Sequence, residues 1–242
     1  MIRIVKVGDR RIESFNARPA FPEEAEKAAS AVLADIRKDG DAAVLKAVAK
    51  FEGFKAKRAG DLRVDLESIR VDKGTVRVGK GAVGGNRPCE TLIDPKIIRA
   101  VKDAHKRVLR FSKASLRKDW SMRTSHGGSA GEFFSPMDRV GVYIPGGTAP
   151  LASTSVMTVT LAKAAGVKEI VACTPAGKDG KVNPVLLYAL KLAGATEIYR
   201  VGGIQAIGMM AFGTKTCRKV QKIAGPGNAF VTAAKRQVYG YV

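Results

Sequence analysis

The sequence predicts an α/β protein: a Rossmann-like open parallel sheet with flanking helices, preceded by a helical N-terminal region. Three observations predict it. From residue 139 onward, short apolar runs alternate with helix-like segments. Several of those runs end in glycine-rich turns, PGG at 145, GG at 202 and GPGN at 225. Most of the chain before residue 116 shows helical periodicity instead of this alternation.

The first predicted helix is FPEEAEKAASAVLADIRKDG. Pro22 suits its first turn, Glu23, Glu24 and Glu26 favour its positive end, and Gly40 stops it. DAAVLKAVAKFEG repeats the pattern, with Ala43, Leu45, Val48 and Phe51 on one stripe, so the two helices are expected to pack as a hairpin. Residues 71–92 carry glycines at 74, 79, 81, 84 and 85 and a proline at 88, which predicts a basic loop with at most a short exposed hairpin. GKGAVGG within it does not satisfy the phosphate-loop pattern. Residues 94–115 restore a long helix, with Ile97, Val101, Val108 and Phe111 near heptad spacing. His105 sits in it among Lys102, Lys106 and Arg107, a solvated setting with no catalytic or metal role. RTSHGGSAGEFFSPMDRV reads as a glycine- and serine-rich connector, and His126 within it as an exposed, idle histidine.

A domain boundary is expected near residue 130. Residues 1–129 form a helical N-terminal region and the first part of an incomplete domain, and residues 130–242 form a Rossmann-like domain. In the second part, strands are expected at 139–144, 169–173, 197–201 and 220–224. Helices are expected at 155–165, 184–192, 205–212 and 228–238. Short βα connections of this kind specify parallel crossovers, and ligands on such sheets gather beyond the carboxyl ends of the strands. The glycine turns lie there, where a helix N-terminus and close backbone approach favour phosphate. None of them is the GxGxxG fingerprint, so a dinucleotide would be held in another way.

The 242 residues, 45% of them hydrophobic, suit one large or two small globular domains. No apolar run approaches the roughly 20 residues of a membrane span, and the start MIRIVKVGDR lacks a signal-peptide core, which predicts a cytoplasmic protein. Cys89, Cys173 and Cys217 are odd in number and far apart, against a disulfide framework or structural zinc, and Cys173 reads as a buried thiol. The net charge of +20 is spread along the chain, and few aromatics accompany the short basic clusters. That pattern argues against nucleic acid as the partner and suits anionic ligands or an acidic chain.

The stretches RVGVYIPGGTAPLASTSVMTVTLAKAAGVKEIV, VGGIQAIGMMAFGT and KIAGPGNAFVTAAKRQV together closely resemble histidinol dehydrogenase, and DIRKDGDAAVLKAVAKFEGF is similar to that family's N-terminal helical region. The resemblance implies a zinc-dependent homodimer that oxidises L-histidinol to L-histidine through the aldehyde, reducing two NAD molecules. It places the NAD contacts on Tyr143, Gln205 and Asn228. Tyr143 closes a strand, where an aromatic can stack on a cofactor ring or simply pack. Gln205 and Asn228 sit at helix starts, and an N-cap alone would also explain Asn228. The family's zinc ligands, its substrate-holding serine and its proton-handling Glu and His follow the GPGNAF helix in family order. The resemblance therefore implies no catalytic or metal residue within this chain, and a truncated or split form that needs a C-terminal half for activity. The alternative is a catalytically empty nucleotide-binding or protein-docking module. Loop 71–92 is longer and more basic than the family's usual short helical segment.

Overall fold

The computed structural model describes residues 22–72, 75–78, 89–146 and 151–242, with residues 8 and 12. Helices α1 (Glu23–Asp39) and α2 (Asp41–Phe51) meet at Gly40, whose φ of 55° lets the chain turn sharply between them. The apolar stripe of α2 departs in places from the expected positions. Ala43, Val44, Ala47 and Val48 are buried, whereas Phe51 is exposed. α1 lies against two later helices, α6 (Gly203–Phe212) and α7 (Ala229–Gln237). The contact with α6 depends on Gly208, where a Cβ would stand 2.9 Å from Ile36 Cδ1 and 3.0 Å from Leu33 Cδ2.

The central sheet has five strands, β1 (Arg63–Val64), β7 (Arg139–Tyr143), β8 (Glu169–Cys173), β9 (Glu197–Tyr199) and β10 (Lys222–Ala224), in the order β1-β9-β8-β7-β10. β10, β7, β8 and β9 run parallel, as the alternation predicts. β1 was not foreseen; it pairs antiparallel with β9, Arg63 opposite Tyr199. Two residues are too few to show a period, and only the free edge of β9 selects them.

The three central strands β7, β8 and β9 are covered on both faces and alternate strictly. Val140, Val142, Ile144, Ile170, Ala172 and Ile198 face one core with α4 (Ala152–Ala164) and α5 (Pro184–Ala193). Tyr143, Val171, Cys173 and Tyr199 face the other, with α1, α2, α6 and α7. The Cys173 thiol is fully buried, as expected, and burial pushes its pKa well up. Helix α3 (Pro95–Ala114) starts at Asp94, whose carboxylate accepts from Lys96 N at 2.7 Å, and packs on α4 and α5. Its inner stripe is Ile98 and Val101; Ile97 and Phe111, placed inward by heptad spacing, are exposed.

Two glycine-rich segments hold more order than a loop. Strands β2 (Ile69–Asp72), β3 (Thr75–Val78) and β4 (Cys89–Leu92) form an antiparallel three-stranded sheet where a loop was expected. GKGAVGG lies outside the described residues. The expected connector forms a hairpin, β5 (Trp120–Arg123) with β6 (Ser129–Glu132), closed by a turn with Gly127 at φ 82°. Every residue of both strands is exposed, so the brief alternation of Trp120 and Met122 with Ser121 and Arg123 meets no core that would select a face. Residue 130 falls inside β6.

Candidate functional site

The strand order reverses at β7. From β7 the chain moves outward to β8 and β9, then places β10 on the other side of β7. The switch point therefore lies between the carboxyl ends of β7 and β10, the place where open α/β sheets take their ligands. Tyr143 ends β7, and Gly225 to Asn228 follow β10. The two segments touch: Gly225 has φ 118°, and a Cβ on it would stand 2.1 Å from Tyr143 O. Gly146 and Gly202 similarly hug Pro175, with hypothetical Cβ contacts of 2.2 and 2.5 Å. These glycines are needed for loop-to-loop contact.

Tyr143 is 5% exposed and Gln205 2% exposed. The Tyr143 hydroxyl accepts from Gly203 N at 3.1 Å, and burial raises its pKa. Gln205 does not reach outward with its whole amide. Its Nε2 donates to Glu52 Oε1 at 2.9 Å, and the same oxygen accepts from Gly202 N at 2.9 Å. Glu52 Oε2 accepts from Ala176 N at 3.3 Å. The GG turn at 202 thus differs from the expectation of free N–H groups aimed at phosphate, because an internal carboxylate and a phenol already take the Gly202 and Gly203 donors. The Glu52 carboxylate stands where a helix N-terminus attracts an anion.

Glu52 escaped the sequence reading. Burial raises its pKa, and the three donors from Gly202, Gln205 and Ala176 act against that rise without cancelling it. One signal was available: Glu52 caps the C-terminus of α2, where the helix dipole disfavours an acid. Asn228, by contrast, is exposed and caps α7, its Oδ1 accepting from Val231 N at 3.1 Å. The capping role of Asn228 leaves its Nδ2 without a partner among the described residues. Thr174, just past β8, is fully buried, and its hydroxyl likewise has no partner among the described residues. None of the three predicted residues lines the grooves around Tyr239 and Tyr241.

His105 is half-buried, with its pKa lowered by desolvation, and His126 is exposed. Among the described residues, no group of three His, Cys, Asp or Glu could hold a metal ion. No described helix is long and apolar enough to cross a membrane.

The family model for histidinol dehydrogenase matches residues 17–242. Histidinol dehydrogenase of Methanosarcina barkeri is 37% identical over 237 residues, covering 98% of this chain and 50% of that protein. That of Carboxydothermus hydrogenoformans is 35% identical over 241 residues, covering 100% and 52%. The crystal structure of histidinol dehydrogenase from Elizabethkingia anophelis superposes with a TM-score of 0.80 at 33% identity, covering 96% of this chain and 49% of that one. The chain spans about half the length of the curated relatives it matches.

Proposed function

This chain belongs to the histidinol dehydrogenase family, and from that premise we propose that it supplies the NAD side of the oxidation of L-histidinol to L-histidine through the aldehyde. The observation that carries the reading is the β7–β10 switch point, with Tyr143 at the end of β7, Asn228 after β10, and Gln205 in the first turn of α6, whose Gly203 N bonds the Tyr143 hydroxyl. The residues present suit a nicotinamide nucleotide. Asn228 offers an amide donor, Gln205 a carbonyl acceptor, Thr174 a buried hydroxyl and Tyr143 an aromatic edge, the set that ribose hydroxyls and a carboxamide require. NAD bound there would accept the hydride. The chain's own contribution is to bind and orient: the strand ends and glycine turns fix the walls, and the buried Tyr143 and Gln205 keep water from the inner side.

The described residues do not fit zinc. We propose that zinc, histidinol and the proton-handling groups are supplied by polypeptide matching the other half of the relatives. That polypeptide would act in a cytoplasmic homodimer or as a complementing chain.

The test is NADH formation from L-histidinol, NAD and zinc, with this chain alone and mixed with the C-terminal half of a family member. Activity only in the mixture is the expected result. Folded protein with no activity in either would overturn the enzyme reading in favour of a nucleotide-binding or protein-docking module.

A further inference from the structure

We infer that Glu52 is a positioning residue for the cofactor site: its carboxylate fixes the side-chain amide of Gln205 so that the Gln205 carbonyl oxygen is the atom left for a ligand. The inference rests on the reading that Gln205 meets NAD. An ionised carboxylate can only accept hydrogen bonds, so the Gln205 NH2 must turn toward Glu52 Oε1, 2.9 Å away. The amide has one orientation as a result, with its Oε1 opposed to Glu52. A ligand group that meets Gln205 must then be a donor, such as a ribose hydroxyl or a carboxamide NH2.

The same carboxylate joins three separate parts of the fold. It comes from the end of α2, binds the turn before α6 through Gly202 N, and binds the segment after β8 through Ala176 N. Gly203 N, the next donor along, goes to Tyr143. The carboxyl ends of β7, β8 and β9 are thus linked by one acceptor pair, Glu52 and the Tyr143 hydroxyl, using backbone donors that would otherwise face a phosphate. It follows that the phosphates of a bound dinucleotide do not sit on the α6 N-terminus.

Two measurements test the inference. In 15N spectra of the intact chain, the Gln205 side-chain NH2 should exchange slowly, and Glu52→Gln should abolish that protection while the sheet amides stay protected. Fast exchange in the unaltered chain would overturn the geometry without reference to NAD. The second is a cycle of NAD affinities for the unaltered chain, Glu52→Gln, Gln205→Ala and the double variant. Glu52→Gln should weaken binding about tenfold, the scale of one charge-assisted hydrogen bond, and should have no further effect once Gln205 is alanine. Equal losses in both backgrounds would mean a merely structural role. If Glu52→Gln does not fold, Glu52→Asp, which keeps the charge but falls short of Gln205, takes its place in both experiments. Binding that neither variant alters would sink the inference and leave the cofactor reading standing. No NAD binding by the unaltered chain would sink both.

Discussion

The two ends of the central sheet hold their charges in opposite ways. At the amino ends of β7, β8 and β9, Arg139 is 5% exposed and is matched by carboxylates: Nη1 lies 2.5 Å from Glu169 Oε2 and 2.6 Å from Glu197 Oε1. Arg218 adds a second cation to Glu169, and the Tyr199 hydroxyl lies 2.7 Å from Glu197 Oε2. Desolvation opposes ionisation of Glu197, but the hydrogen bonds from Arg139 and Tyr199 and the charges of Arg139 and Arg63 together outweigh it and the pKa falls. Arg218 and Arg139 lower that of Glu169. At the carboxyl ends, Glu52 has no described cation partner. Backbone and amide dipoles alone hold it, and its pKa rises. The lesson is a division of labour within one sheet. Charges paired at the amino ends stabilise the fold, while a carboxylate kept without a counter-ion at the carboxyl ends costs stability and orients a site.

The largest expected effect lies at the amino ends. Arg139→Ala leaves Glu197, its side chain only 15% exposed, without its cation. Breaking such a pair should cost about 3 kcal/mol, a fall in Tm on the order of 10 °C by calorimetry. A change under about 2 °C would remove the contrast between the ends.

Next is the close approach of the segments, or walls, that follow β7 and β10. Gly225→Ala must relieve both a φ of 118° and the clash with Tyr143 O, so a loss of about 2 kcal/mol in denaturant unfolding is expected. Unchanged stability would mean that the walls are not in contact.

The pH dependence separates the ends by sign. Glu169 and Glu197, with folded pKa values lowered, contribute stability that is present above the unfolded value near 4.5 and is lost as pH falls through the folded values. Glu52, with its folded pKa raised, contributes in the opposite sense: its term is present below about 4.5 and lost as pH rises through the folded value. Thermal melts of Glu52→Gln should therefore lose the decline on the alkaline side of pH 4.5 and keep the acid decline. Parallel curves for the two proteins would show that Glu52 is not desolvated.

Smaller still is Asn228. Asn228→Ala removes a helix cap and should cost about 1 kcal/mol, whereas Asn228→Asp keeps the cap. If the amide meets the cofactor, NAD affinity falls in both; if only the cap matters, Asn228→Asp binds NAD normally. The division expected near residue 130 remains a proposal that limited proteolysis sharpens. Residues near 130–242 should resist proteolysis better than residues 1–125, and equal or reversed protection would count against the division.

Much of the fold was legible because local rules and tertiary packing agree. Past their first residues, Arg139 and Glu169, β7 and β8 are apolar on both faces, and the helix caps at Asp94, Asn183 and Asn228 each take a nearby N–H through their own side chain. The exposed hairpin β5–β6 was not legible, since Trp120, Met122 and Arg123 carry no buried face that would impose a period. Phe111 and Ile97 were misplaced because helical spacing says which residues share a face and not whether that face meets another element. For the site, the motif residues could be found one by one. Their use could not, because Glu52 reaches Gly202 across 150 residues of sequence.

By itself the sequence determined the alternation of strands and helices from residue 139 onward, the glycine turns at the carboxyl ends and the membership of a family whose motifs are local and ordered. Only the tertiary structure decided which donors those turns still offer. A backbone N–H at a helix start attracts any acceptor that reaches it, and whether that acceptor is a ligand's phosphate or the protein's own Glu52 depends on how α2 packs against the sheet, which no local pattern encodes.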